Sequence, residues 1–113
     1  MNNTMIINGY RAVISFDPDT EMFRGEFFGL NGGADFCATT VRGLHAEGAK
    51  SLRVFMDVCA ENGIESVKTY SGKFNARISP QTHLHAVEAA AARGISLNQF
   101  VEQAIEREVN QSA

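Results

Sequence analysis

The stretch Lys73-Phe74-Asn75-Ala76-Arg77-Ile78-Ser79-Pro80 decides the fold of the second half of this chain. Polar residues at positions 73, 75 and 77 alternate with apolar residues at 74, 76 and 78, a period that is typical of a strand with one solvated and one buried face. Ser79 suits a helix N-cap, and Pro80 suits the first helical position because it has no N–H to leave unpaired. The stretch therefore predicts a strand that runs directly into a helix.

Two capped helices are expected after this strand. The first extends from Pro80 to Arg93, where Gly94 tolerates the left-handed conformation that commonly closes a helix. Ser96 and Gln99 match a capping box, which predicts a second helix starting at Leu97. The residues expected on the apolar faces of the two helices are Leu84, Val87, Ala90, Ala91, Leu97, Phe100, Val101, Ala104, Ile105 and Val109.

One short strand and two helices are not expected to fold alone. The strand cannot satisfy its own backbone groups, and the helices enclose too little apolar surface for an independent core. A second copy, paired antiparallel about a two-fold axis, would supply both. This layout resembles the ribbon-helix-helix repressors of the Arc and MetJ type, whose ribbon enters the major groove of DNA.

The resemblance implies two sets of residues. Arginine can read guanine, asparagine can read adenine, and lysine can reach guanine or phosphate. The implied DNA-binding residues are Lys73, Asn75, Arg77, Ser96 and Asn98. The implied dimer core consists of Phe74, Ile78, Leu84, Val87, Phe100, Val101 and Ile105. The alternative is an ordinary edge strand with a solvated outer face.

Length and composition indicate a globular chain. Its 113 residues, 44% apolar and 20% charged, suit one domain or two very small ones. The N-terminus shows no signal-peptide pattern, and no apolar run approaches a membrane span of about 18 residues, so we expect a cytoplasmic protein. Cys37 and Cys59 lie far apart without metal-ligand spacing, and both are expected to be small core residues.

The net charge of −3 is unevenly distributed. Residues 1–63 contain eight acidic and five basic side chains, whereas residues 64–113 contain five of each. The predicted ribbon has Lys73 and Arg77, so its basic character is local, and a negative total does not exclude DNA binding.

The first half predicts a sheet covered by one helix. Alternating residues 10–16 and aromatic residues 22–30 form a hairpin, and residues 34–38 add a third strand to an antiparallel meander. Thr40 then caps a long helix that ends at Asn62-Gly63. Residues 64–72 are a connector with room for a fourth strand. The predicted organisation is thus α+β, with domains at 1–63 and 73–113.

A meander followed by a helix begins a ribonuclease H-like fold, whose enzymes need several acids converging on Mg²⁺. Here Asp17, Asp19 and Glu21 cluster at a turn, which favours a solvated acidic rim. His83 and His85 are two residues apart on a helix, so their side chains diverge and cannot share an ion. The sequence therefore predicts no enzyme, with no catalytic residues, no metal site and no cofactor.

From Tyr10 to Val109 the chain resembles the HicB-family antitoxins of HicA–HicB toxin–antitoxin systems. The resemblance is carried by Phe23-Arg24-Gly25 with Gly29-Leu30, by Thr40-Val41-Arg42-Gly43-Leu44, by the run from Tyr70 to Pro80, and by Ser96-Leu97-Asn98-Gln99-Phe100. The first helix departs from the family because it has Gly43, Gly48 and few acids, so the resemblance does not map the toxin-facing residues.

Family resemblance implies the function. A catalytically degenerate ribonuclease H-like domain would cover the active site of a small basic HicA-like toxin that cleaves mRNA. A ribbon-helix-helix domain would repress the shared operon as a homodimer, with a tetramer left open. Three alternatives remain: a stand-alone repressor without a toxin, a regulator that senses a ligand in its first domain, and a nuclease that uses a metal.

Overall fold

The computed structural model describes residues 3–112 of the chain. Met1, Asn2 and Ala113, which the predicted domains include, lie outside the described part. The chain divides into two compact units, residues 3–71 and the residues from Gly72 onward. The elements are the strands β1 (Thr4–Ile7), β2 (Tyr10–Asp17), β3 (Met22–Phe27) and β4 (Asp35–Ala38) and the helices α1 (Val41–Glu61), α2 (Pro80–Arg93) and α3 (Leu97–Ser112).

The first unit contains an antiparallel sheet in the order β1-β2-β3-β4. The predicted three-strand meander is therefore incomplete, because β1 precedes it. Asn8 and Gly9 join β1 to β2 with φ angles of 51° and 85°, as a two-residue hairpin turn of type I′ requires. The Asn-Gly dipeptide is a strong hairpin signal, and the three-strand prediction overlooked it.

Helix α1 covers one face of this sheet, as predicted. The side chain of Thr40 accepts a hydrogen bond from the Gly43 N–H at 2.9 Å, which confirms the N-cap. Gly48 is a buried residue of α1, and a Cβ there would lie 3.1 Å from the Phe36 ring and still closer to the Ile7 side chain. The glycine is thus required by the close approach of the helix to the sheet.

A single hydrophobic core lies between the sheet and α1. Its members come from all four strands, the loop before β4 and the helix, and none of the buried side chains described is polar. The core residues are Ile7, Ala12, Phe27, Leu30, Ala34, Phe36, Ala38, Leu44 and Leu52. This core is complete within one chain.

The two cysteines differ in burial. Cys59 is buried on α1, as predicted, but Cys37 is exposed on β4, so the prediction of two core cysteines is wrong for Cys37. Side chains alternate along a strand, and Phe36 and Ala38 occupy the side of β4 that faces the helix. Cys37 must therefore face the other side of the sheet.

The residues after α1 are bonded to the first unit. Val67 forms an isolated antiparallel bridge with Leu30, and the Lys68 N–H donates to the Gly29 carbonyl at 2.9 Å. The Asn31 N–H also donates to the Ser66 carbonyl at 2.8 Å. These contacts form no fourth strand after α1.

In the second unit, both predicted helices and their caps are confirmed. Ser79 Oγ accepts from the Thr82 N–H at 3.1 Å, and Gly94 ends α2 with a φ of 69°. Ser96 Oγ accepts from the Gln99 N–H at 3.0 Å, while Gln99 Oε1 accepts from the Ser96 N–H at 3.0 Å. This reciprocal pair is the capping box at the start of α3.

Residues 73–79 belong to neither strand nor helix in the single chain. A strand is defined by its hydrogen-bonded neighbour, so the expected ribbon depends on a second copy. The strand assignment at this segment therefore stays a prediction. Of the helices in residues 3–112, none has the length and hydropathy needed to cross a lipid bilayer.

Candidate nucleic-acid and partner interfaces

The segment before α2 exposes both its polar and its apolar side chains. Lys73, Asn75 and Arg77 are exposed, as a surface that reads DNA requires. Phe74 and Ile78, predicted to face a dimer core, are 70% and 53% exposed. Neither set is covered within the chain.

The second unit has almost no interior of its own. Ala90, at 3% exposure, is its only buried hydrophobic residue among those described. Eight large apolar side chains lie on its surface instead, and we call them the apolar surface of the helical unit: Phe74, Ile78, Leu84, Val87, Leu97, Val101, Ile105 and Val109. Exposed apolar residues on this scale normally mark an interaction site.

Part of this surface forms a groove against α3. Phe74, Val101 and Ile105 line it together, with Asn98 and Glu102 among its polar residues. The structure thus brings three of the predicted dimer-core residues and one predicted DNA contact to one place. An apolar side chain from a partner could enter this groove between Phe74 and α3.

Phe100 has a different environment from the other predicted dimer-core residues. It is half-buried, and the Arg93 guanidinium lies 5.2 Å from the centre of its ring. A cation at this distance is attracted to the face of an aromatic ring. Phe100 therefore already has a partner within its own unit, and the sequence offered no signal of the Arg93 contact.

A second groove adjoins the predicted base-reading residues. Asn75, Arg77 and Ile78 line it together with His83 from the first turns of α2. His83 is exposed, in agreement with its prediction as a surface histidine. Its position beside Arg77 was not predicted, although it lies only four residues beyond the helix cap Ser79.

The two predicted DNA-binding residues at the start of α3, Ser96 and Asn98, differ in whether their hydrogen-bonding groups are already engaged. The Ser96 backbone N–H and hydroxyl oxygen are both engaged in the capping box. Asn98 is exposed, and no side-chain hydrogen bond holds it among the described residues. Asn98 is thus the more adaptable of the two, whereas Ser96 holds the helix terminus in place.

The first unit has more acidic than basic side chains. Residues 3–71 include nine acidic and six basic side chains. Within residues 3–112, no three histidine, cysteine, aspartate or glutamate side chains lie close enough to hold a metal ion. Asp35 instead pairs with Arg24 at 2.5 Å, and this hydrogen bond, followed by the charge of Asp35, raises the pKa of Arg24.

Comparison with protein families gives a match over just under half of the chain. The HicB family matches residues 55–105, a range that includes the end of α1, the predicted ribbon, α2 and the first part of α3. Every predicted DNA-binding and dimer-core residue lies inside this range. No curated protein and no solved structure gives a significant match to the chain. This part of the chain is therefore similar to the HicB family.

Proposed function

We propose that this protein neutralises a small basic HicA-like toxin with its first unit and represses its own operon with its second. The observation that carries this proposal is the apolar surface of the helical unit, which lies next to the polar residues Lys73, Asn75 and Arg77. The combination supports an assembly that buries the apolar side chains between two copies and leaves Lys73, Asn75 and Arg77 exposed for binding DNA.

The apolar surface supports a homodimer. A unit of about forty residues is too small to build a sufficient core by itself, and here Ala90 alone is buried among the described hydrophobic residues. Antiparallel pairing of two 73–78 segments would satisfy their backbone groups and place Phe74 and Ile78 against the helices of both copies. The outcome is a ribbon-helix-helix fold made by two chains.

Residue chemistry on the opposite face supports DNA binding. With a strand period of two, Lys73, Asn75 and Arg77 share the face opposite Phe74 and Ile78. Two copies bring six such side chains to one ribbon of a width that the major groove admits. Arg77 and Asn75 would read bases, Lys73 would contact guanine or phosphate, and Ser96 and Asn98 would hold the start of α3 at the DNA.

The acidic first unit supports toxin binding. A sheet with one covering helix is the beginning of a ribonuclease H-like fold, and two of its acids, Asp35 and Glu47, form ion pairs. Nine acidic against six basic residues would attract a small basic protein, with a rate that falls as salt is added. We propose that this unit is a non-catalytic inhibitor in the cytoplasm.

The test is co-expression with the product of the adjacent open reading frame. The protein should copurify with it, relieve its growth inhibition, and shift promoter DNA as a dimer or higher oligomer. A neighbouring frame that encodes no toxin, combined with full operator binding, would favour a stand-alone ribbon-helix-helix repressor. That alternative has support because the family match begins only at residue 55.

A nuclease assay separates the inhibitor from an enzyme. The pure protein should leave RNA, DNA and their hybrid intact in Mg²⁺ or Mn²⁺, because its acids do not converge. Cleavage that disappears in Asp17→Asn or Glu26→Gln would instead identify an active metal-dependent nuclease.

A further inference from the structure

Strand β4 forms a free edge of the sheet. It pairs with β3 through Gly25 opposite Phe36, and the Phe27 N–H donates to the Ala34 carbonyl at 3.2 Å. Because hydrogen-bonded and non-bonded pairs alternate in an antiparallel ladder, the backbone groups of Cys37 point away from β3. No strand of the described residues pairs with this side of β4.

The edge is short but lacks several of the features that protect an edge strand. Its residues, Asp35–Ala38, include no proline and no lysine, and their register with β3 has no bulge. One outward carbonyl, that of Asp35, is occupied by the Ser51 hydroxyl of α1 at 3.0 Å. This bond fastens α1 beside the edge and leaves Cys37 as the residue that can exchange both backbone hydrogen bonds with a new strand.

An apolar groove runs between this edge and α1. Phe36, Val54, Phe55 and Val58 line it. Val54 and Val58 are 59% and 49% exposed, and their spacing of four residues places them on one face of the helix. The groove could therefore receive alternate side chains of a strand that pairs with β4, which is the usual arrangement of strand addition.

The net acidity of the unit that forms the groove, nine acidic against six basic side chains, favours a basic occupant. Its two nearby basic side chains are already paired, Lys50 with Glu47 at 3.5 Å and Arg24 with Asp35 at 2.5 Å. Further along α1, Asp57 is exposed and has no ion pair among the described residues. A second copy of the same acidic unit would be repelled from this edge, whereas a basic chain would be attracted.

We propose that the basic toxin docks by adding an extended segment to β4. This segment pairs with the backbone of Cys37 and inserts alternate apolar side chains between β4 and α1. The inference rests on the proposed function for the identity of the partner, and it adds the place and mode of binding.

Proline at position 37 tests the backbone pairing. The Cys37 N–H faces the free edge, so Cys37→Pro removes no hydrogen bond to β3. We expect the toxin to bind the full-length Cys37→Pro protein at least about tenfold more weakly, the effect of about 1.4 kcal/mol. Cys37→Ser keeps the N–H and should bind as the wild type does. Circular dichroism and thermal unfolding of both variants check the fold.

Lysine at position 54 tests the groove without touching the backbone. Val54→Lys should weaken toxin binding at least about tenfold. Val41→Lys is the matched control, because Val41 is on the same helix, is 61% exposed against 59% for Val54, and lies outside the groove. Both changes add the same charge, so a difference in toxin affinity between the two variants measures the contribution of the groove to binding. Isothermal titration calorimetry with the purified toxin measures all four variants.

The outcomes separate the two proposals. Weak binding by Cys37→Pro and Val54→Lys, with normal binding by both controls, supports strand addition. Equal binding by the wild type and all variants would overturn strand addition and leave the antitoxin function intact. Loss in Val54→Lys alone would indicate docking on the helix without a new strand and would also overturn it. If the wild type itself fails to bind the toxin, the proposed function falls and this inference falls with it.

Discussion

The two units of this protein differ in how far they bury their apolar side chains. In residues 3–71, four strands and α1 enclose a core in which Ala12 and Leu44 are almost completely shielded from water. In the unit that begins at Gly72, α2 and α3 are equally well capped, yet only Ala90 is buried among the described hydrophobic residues. Capping residues thus begin well-formed helices in both units. A core forms only in the unit whose apolar side chains pack against one another.

From this difference we predict that the first unit folds as a monomer and that the second unit folds through assembly.

The largest effect is expected for DNA recognition by the second unit. Asn75→Ala or Arg77→Ala removes a base contact worth about 1–3 kcal/mol, and the two-fold axis doubles the loss to roughly 2–6 kcal/mol per dimer. Specific binding typically exceeds non-specific binding by about 4–10 kcal/mol, so most specificity should disappear. Mobility-shift titration on promoter DNA measures the loss, and a growth assay should show unchanged toxin neutralisation. Wild-type operator affinity in both variants would show that residues 73–78 do not read the operator.

A core substitution should destabilise the first unit alone. Leu44→Ala removes a fully buried side chain and should lower the free energy of unfolding of that unit by about 2–5 kcal/mol. Denaturant unfolding, followed by amide hydrogen exchange in each unit, measures the effect. Operator binding should persist at temperatures where the first unit stays folded. An equal loss of protection in α2 and α3 would show that the two units do not fold independently.

The second unit should depend on protein concentration. Its unfolding midpoint is expected to rise with concentration, because assembly stabilises the folded state by mass action, whereas the midpoint of the first unit should not change. Phe74→Ala should abolish both the concentration dependence and DNA binding. Phe74 is 70% exposed in the single chain, and in the proposed dimer it would be buried in the core between the two copies. Analytical ultracentrifugation and thermal scans at several concentrations measure this. A Phe74→Ala protein that still dimerises and binds the operator would refute the ribbon core.

Loss of the α3 cap should have a smaller effect. Ser96→Ala removes the acceptor of the Gln99 N–H and should cost about 1 kcal/mol of stability in the second unit. Thr40→Ala is the matched change in the first unit, because Thr40 caps α1 in the same way. Hydrogen exchange should locate each loss in the unit that contains the substitution. Effects that spread equally over both units would contradict their independence.

The smallest effect concerns salt dependence. If Lys73 binds phosphate, Lys73→Ala should weaken binding similarly on all DNA sequences and reduce the salt slope by about one unit for each phosphate that is no longer neutralised. Mobility shifts at several salt concentrations measure the slope. A change confined to the specific operator would instead assign Lys73 to a base.

Much of the local structure could be predicted because its causes are local. Thr40, Ser79 and the Ser96–Gln99 capping box begin the three helices as expected, since a cap is a hydrogen bond between residues close in sequence. The missed strand β1 also had a local signal in Asn8-Gly9. This signal is local too, because the turn needs only two adjacent residues that adopt positive φ angles.

Other features depend on what packs against a residue, and the pattern alone could not predict them. Cys37 and Cys59 are the same residue type, yet one is exposed and one buried because β4 has a helix on one side only. Likewise, the Arg93 contact with Phe100 depends on how α3 returns along α2.

The sequence by itself determined where helices begin and end, the alternation at residues 73–78 and the resemblance to the HicB family. Only the tertiary structure decided that the apolar residues of the first unit meet in one core while those of the second remain on its surface, and that β4 is an open edge beside an apolar groove. The physical reason is that caps and periodicity act over a few residues, whereas burial and edge exposure depend on which distant segments come together.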